Sequence, residues 1–358
     1  MEERRAKIAF AETYTQETED ALKRPQPSYM VASAHLESAI QALREVGKMT
    51  DRIRQLRKQL LDYQRESIKE YKPIEMTLDT HITDTAAKLA KQRVKYKMLS
   101  WVPTLPMTLF KLAFLEPSPH VEDVKRQVEE TARIAPLQYL LSSQLVDANG
   151  KAKDRSTSPL SSKQEAQEMA LREQMFARAR WLQGIKALTI IEPARQQIID
   201  DHRIENDDLL FFLSHNSFVP SGREGIYALG LVAGFSGDFL ISTHLLIPQV
   251  ENSLRHLVAQ QGHLVSNLTS QGIQDEYSLN KLFEEHRAIL TLLLGEDITF
   301  DLEGLLIERF GTNLRNDVSH GLLDMDRFGP GQASYFWWLT LKLCIYFWLT
   351  EGVEEEYF

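Results

Sequence analysis

Cysteine is almost absent from this chain. Cys344 is the only one in 358 residues. No intramolecular disulfide and no cysteine metal cluster can form, and a reducing, cytoplasmic setting is expected. Long apolar runs are scarce too. A membrane span needs roughly 20 predominantly apolar residues. The best match, Ser334 to Thr350, is slightly short and carries Lys342 near its middle. A central lysine costs about 2.5–3.5 kcal/mol on insertion scales, so this segment is expected to be a buried bundle helix or an interface helix, and membrane association is not expected. The amino terminus, Met1-Glu2-Glu3-Arg4-Arg5-Ala6, lacks the apolar core of a secretory signal. H-E-x-x-H, G-x-S-x-G and paired-carboxylate motifs are missing, and no metal or cofactor is expected. Five glycines lie between residues 219 and 237, but no Gly-Lys-Ser/Thr follows them and no strand pattern leads in, which argues against a nucleotide loop.

What is present describes a globular chain with ample length for a sizeable core: 43% of residues are hydrophobic and 25% charged. The net charge of −9 is unevenly spread. Residues 200–358 hold 9 Lys and Arg against 24 Asp and Glu, a balance of −15, which leaves +6 for residues 1–199. Any attraction to phosphate must therefore be local or come from the N-terminal half.

The periodicity is helical nearly throughout. Leu36, Ile40 and Leu43, then Ile53, Leu56, Leu60 and Leu61, recur at helical spacing between Ala32 and Ser67, with Gly47 as the only break. Arg54, Arg57, Lys58 and Arg65 lie among them as a solvated face or a phosphate-contacting one. A second helical pattern covers about 84–99 and contains Lys91, Arg93, Lys95 and Lys97. Gln138 to Val146 reads as extended, Asn149-Gly150 as a turn, and the Ser-rich stretch 154–162 as a linker. Further helices are expected from Lys163 to about Leu188, from Asp238 to about Val265 with a new start at Pro248, over 279–294, and over 301–310 capped by Asp301 and ended by Gly311. Gly230 and Gly234, four apart, are expected to serve close packing. The expected fold is all-α: a basic helical N-terminal domain (1–146), a linker or hairpin (147–163), and a helical domain (164–358) whose bundle spans about 224–358.

Chemistry concentrates in Arg315-Asn316-Asp317-Val318-Ser319-His320-Gly321. Imidazole has a reference pKa near 6.5 and exchanges protons at neutral pH. Guanidinium is a planar, bidentate partner for phosphate. With Asn316 to hold or orient, these groups suffice to cleave an RNA phosphodiester through its 2′-hydroxyl. On an ideal helix Asn316 and His320 share a face, but Arg315 and His320 lie about 140° apart. They meet if the arginine stem wraps, if the segment leaves ideal geometry, or if two copies join across a two-fold axis. Upstream, Glu251 and Arg255, and Asn252 and His256, form two i, i+4 pairs and are candidate supporting residues. The alternative use is structural, with Arg315 bound to Asp301, Glu308 or another acidic neighbour and His320 closing a helix.

The R-N-x-x-x-H-G string resembles the signature of the HEPN superfamily (higher eukaryotes and prokaryotes nucleotide-binding). Residues 219–225, 234–239 and 246–255 extend the likeness to an uncharacterised family that shares its R-N-x-x-x-H-G domain with the endoplasmic-reticulum membrane-associated RNA degradation protein. The resemblance covers roughly residues 205–358. It implies an α-helical bundle and a metal-independent ribonuclease acting as a homodimer on RNA. His320 would be the base or acid, Arg315 would stabilise the phosphorane, and Asn316 would orient or bind. Many such proteins serve toxin–antitoxin pairs or antiviral defence, with a regulatory protein partner, and others are non-catalytic dimerisation, scaffold or RNA-binding modules.

Overall fold

Polar helix starts and a glycine stop shape the first 70 residues of the computed structural model, which describes residues 2–47, 49–70, 104–135, 144–146, 151–157, 159, 163–268 and 270–351. Helices α1 (Glu2–Leu22), α2 (Tyr29–Val46) and α3 (Thr50–Ser67) follow one another. The Ser28 hydroxyl accepts from the Val31 amide at 3.3 Å to cap α2, and Gly47 closes it at φ 68°. Ala11, Leu36, Ala39, Ile40, Leu43 and Leu56 form the core between these helices. Arg54, Arg57 and Lys58 are exposed on α3. Strands β1 (Gln144–Val146) and β2 (Ala152–Arg155) pair antiparallel, Gln144 opposite Arg155, and belong to the same compact unit. The expected helix at 84–99 with its four basic residues, the Asn149-Gly150 turn and residues 158 and 160–162 of the Ser-rich linker lie outside the described residues.

The second unit, Leu78–Leu141 with Thr157–Phe358, is also helical, and the fold class is all-α. Helices α4 (Leu105–Ala113) and α5 (Val121–Ile134) belong to it, although their place in sequence groups them with the N-terminal region. Leu109, Leu112 and Ala113 share one core with the C-terminal helix, whose Trp338 indole donates to the Leu112 carbonyl at 2.8 Å. Helix α6 (Gln164–Lys186) runs through a π segment (Ala187–Ile191) into α7 (Glu192–Asp201) without leaving helical geometry, and Pro193 follows directly on the π segment. After a single helical turn at Leu210–Leu213 come α8 (Glu224–Phe235) and α9 (Phe239–Gln260). Pro248 does not start a new helix: α9 passes straight through it. An internal proline costs about 3 kcal/mol, which the buried flanks Leu246, Ile247, Val250 and Leu254 offset. A small hairpin, β3 (Ser266–Leu268) and β4 (Gln274–Glu276), leads to α10 (Leu279–Leu294), α11 (Glu296–Leu306), α12 (Leu314–Ser319) and α13 (Gln332–Thr350).

The two glycines of α8 do serve close packing, but against side chains rather than a second backbone. A Cβ on Gly230 would stand 2.6 Å from Leu246 Cδ2, and one on Gly234 2.1 Å from Trp337 Cδ1. Helix α13 is a core helix of its own chain: Tyr335, Trp337, Trp338 and Leu341 have no exposure. No self-associating partner is needed to cover them. Lys342 donates to the Glu116 carbonyl at 3.0 Å and lies over the Trp338 ring, which satisfies its ammonium among apolar neighbours. Among the described residues no helix is long and apolar enough to cross a membrane.

Asp301 does not cap a helix. It sits within α11, fully buried, and its carboxylate accepts from Gln183 Nε2 and the Tyr335 hydroxyl, both at 2.8 Å. Burial raises its pKa above the ordinary aspartate value, against the pull of these two donors and of Lys186. A carboxyl whose folded-state pKa is raised favours folding below the unfolded value, and that contribution is lost as pH climbs through the raised one. Asp301→Asn removes this dependence. Wild-type minus variant unfolding free energy, measured by urea denaturation between about pH 3 and pH 7, should therefore decrease with rising pH. A flat difference would contradict the assignment.

Candidate functional site

The segment carrying the motif is anchored from both ends. On its N-terminal side, the Thr312 amide donates to the carbonyl of Gly304 at 2.8 Å. Asn313 then turns the chain through a left-handed conformation, φ 55° and ψ 31°, and α12 begins. Asparagine tolerates this conformation better than most residues. On the C-terminal side, Gly321 has φ 61°. The Leu322 amide bonds to the Asp317 carbonyl at 2.8 Å and the Gly321 amide to the Val318 carbonyl at 3.0 Å. This is a Schellman closure, and it gives the His-Gly pair of the motif a backbone reason: His320 is the C-cap and Gly321 the left-handed residue behind it.

Arg315 reaches back to α9. Its Nε donates to Glu251 Oε2 at 2.9 Å and its Nη2 to Glu251 Oε1 at 3.3 Å. Its Nη1 donates to Asn316 Oδ1 at 3.1 Å. Of five guanidinium N–H groups, three are thereby engaged and two make no hydrogen bond among the described residues. Glu251 Oε1 also accepts from Arg255 Nη1 at 2.9 Å and from the Leu279 amide at 3.1 Å. Arg255 Nη1 further donates to the Tyr277 carbonyl at 3.0 Å. One carboxylate, 11% exposed, therefore holds two guanidiniums that are 16% and 23% exposed. Arg255 Nε also pairs with Glu276 Oε2 at 3.9 Å, so two guanidiniums face two carboxylates and the cluster carries no net charge.

Asn316 does not orient the imidazole. Besides accepting from Arg315, its amide donates to Asn313 Oδ1 at 2.7 Å, so it fixes Arg315 and the start of α12. His320 is exposed, and its ring makes no hydrogen bond among the described residues. The other supporting pair is looser: His256 bonds to Gln260 at 3.0 Å, both near the surface, while Asn252 makes no side-chain hydrogen bond among the described residues. The structure thus joins Arg315, Asn316, Glu251 and Arg255 in one network and leaves His320, Asn252 and His256 outside it. Sequence reading missed the segment between β4 and α10, which delivers the Tyr277 carbonyl and the Leu279 amide.

Two surface clefts lie elsewhere, at Glu129, Arg133 and Gln167 and at Asp200, His202 and Ser236, and neither includes a motif residue. Comparison with models of known protein families, with curated proteins and with solved structures gave no match.

Proposed function

We propose that this protein is an endoribonuclease of the HEPN type, which cleaves RNA by general acid–base catalysis between two copies of the chain. The observation that carries the reading is a contrast within α12. The guanidinium is clamped by Glu251 and Asn316 and keeps two N–H groups without a hydrogen bond among the described residues, while the imidazole five residues on is exposed and makes none among them. That is the division of labour the chemistry requires: a fixed anion clamp and an accessible proton carrier.

In the proposed reaction one His320 takes the proton of a ribose 2′-hydroxyl. The oxygen attacks the adjacent phosphorus, and Arg315 stabilises the charge on the non-bridging oxygens. The bond to the 5′-oxygen breaks, and the partner copy's imidazolium protonates that oxygen. The products are a 2′,3′-cyclic phosphate and a 5′-hydroxyl. The exposed apolar side chains Leu322 and Met325, beside His320 on the same loop, support a two-fold contact there.

A second reading, a non-catalytic dimerisation module, is favoured by one fact: Arg315 already has a carboxylate partner. Single-stranded RNA incubated with the protein in EDTA separates the two. Fragments with cyclic-phosphate ends, lost in both His320→Ala and Arg315→Ala with helical circular dichroism retained, are expected. Cleavage that survives both substitutions, or an inert wild-type protein, would refute the enzyme.

A further inference from the structure

Tyr277 joins the arginine network to a row of aromatic rings. Both of its backbone groups are tied. Its carbonyl accepts from Arg255 Nη1, and Arg255 shares the Glu251 carboxylate with Arg315. Its amide donates to the Val265 carbonyl at 2.8 Å, just beyond the paired strands β3 and β4. The half-buried Tyr277 is therefore held in fixed relation to the Arg315 clamp. Lys281 lies over the Tyr277 ring, its ammonium 4.2 Å from the centroid. The His286 ring is nearly parallel to that of Tyr277, 6.0 Å away at 16°, and the His263 ring follows, 5.5 Å from His286.

The helix is shaped around this row. At His286, φ −127° and ψ 18°, α10 leaves regular geometry and the two halves of the helix meet at a kink. From that position the imidazole Nε2 donates to the Leu264 carbonyl at 2.7 Å, which fastens the ring to the residue beside His263. His263 ends the row. It is exposed, and its ring makes no hydrogen bond or ion pair among the described residues. Leu264 next to it is exposed as well. The same hairpin and helix carry Asp275, Glu276, Glu284 and Glu285, all exposed. A polyanion gains little from charge here. A flat π-face needs no positive surface, because a base stacks on an aromatic side chain whatever the surrounding charge, and every base has such a face.

We infer that Tyr277, His286 and His263 form a stacking platform for a nucleobase of single-stranded RNA, which adds its plane to the row at the exposed ring of His263 while the phosphate to be cleaved is held at Arg315. The inference deepens the ribonuclease reading and rests on it for the identity of the ligand. It selects unpaired RNA, since the base faces of a duplex are already covered by their neighbours.

The test uses the full-length protein and a labelled 2′-O-methyl oligoribonucleotide, which lacks the nucleophile and so reports binding without turnover. Affinity is followed by fluorescence anisotropy over a range of salt. His263→Ala should weaken binding at least about fivefold, the low end for one stacked base. The slope of log K against log salt should stay at the wild-type value, because a stacked base releases no counterion. His263→Phe keeps a flat ring without the nitrogens and should recover the affinity. Both substitutions are at an exposed side chain, and melting curves confirm that the variants fold. Unchanged affinity in His263→Ala, a lowered salt slope that marks a phosphate contact instead, no recovery in His263→Phe, or no binding by the wild type would overturn the platform. If affinity follows the ring as expected but natural RNA is never cut, the platform stands as a binding site and the nuclease reading fails. If natural RNA is cut and His263→Ala binds as tightly as the wild type, the nuclease stands and the platform fails.

Discussion

Glu251→Gln is expected to destabilise the protein strongly while leaving every residue of the R-N-x-x-x-H motif in place. The substitution keeps the shape of the side chain and removes its charge. Two guanidiniums then face each other across an amide, and the amide NH2 presents a donor where Arg255, Arg315 or the Leu279 amide needs an acceptor. Removing one partner of a buried charge cluster costs about 3–5 kcal/mol. The arginines keep some solvent contact, so the lower end of that range applies. Urea denaturation measures it, and a change below about 1 kcal/mol would show that water replaces the carboxylate without loss. The variant also divides the two functional readings. If Arg315 clamps a phosphorane, its loss of orientation lowers cleavage by more than the unfolded fraction explains. If the network is only structural, folded variant and folded wild type behave alike toward RNA.

How much of this was legible beforehand depended on sequence distance. The Glu251–Arg255 pair follows from i, i+4 spacing on a helix and was readable. The bond from Arg315 to Glu251 spans 64 residues and depends on how α9 and α12 are placed, which no local pattern encodes. The apolar run at 334–350 announced a buried helix, and Lys342 argued against a bilayer. That its ammonium finds the Glu116 carbonyl required the tertiary fold. Asp301 was misread for a related reason: aspartate ahead of an apolar run is a helix-start signal, but here Gln183 and Tyr335 supply long-range donors that let it stay inside α11. Pro248 misled as a start signal because buried flanks outweigh the cost of the lost amide.

Gly311 shows the same limit with the largest expected consequence for the site. In the sequence it reads as a helix stop. The helix in fact ends at Leu306, and Gly311 does something else. A Cβ there would lie 2.0 Å from the Gly304 carbonyl oxygen, 2.7 Å from its carbon and 3.0 Å from Cα. All three atoms are backbone at the end of α11, and the same oxygen accepts the Thr312 amide. Gly304 cannot retreat, because its own face is packed against Phe176, which a Cβ would meet at 2.7 Å, and Phe176 is stacked on Phe300. Gly311→Ala should therefore cost at least the upper end of the usual overpacking penalty, about 3 kcal/mol, and should displace Thr312 and Asn313, which start α12. Both stability and any RNA cleavage are expected to fall together. Gly321→Ala is the matched control at the other end of the motif. It lies in open space, and only its positive φ resists a side chain, a penalty of about 1–2 kcal/mol. Thermal and urea unfolding of the two variants should rank Gly311→Ala as clearly the more damaging. Equal losses would mean that α11 yields at its end, and that the position of Arg315 is set by Glu251 rather than by the contact between these two glycines.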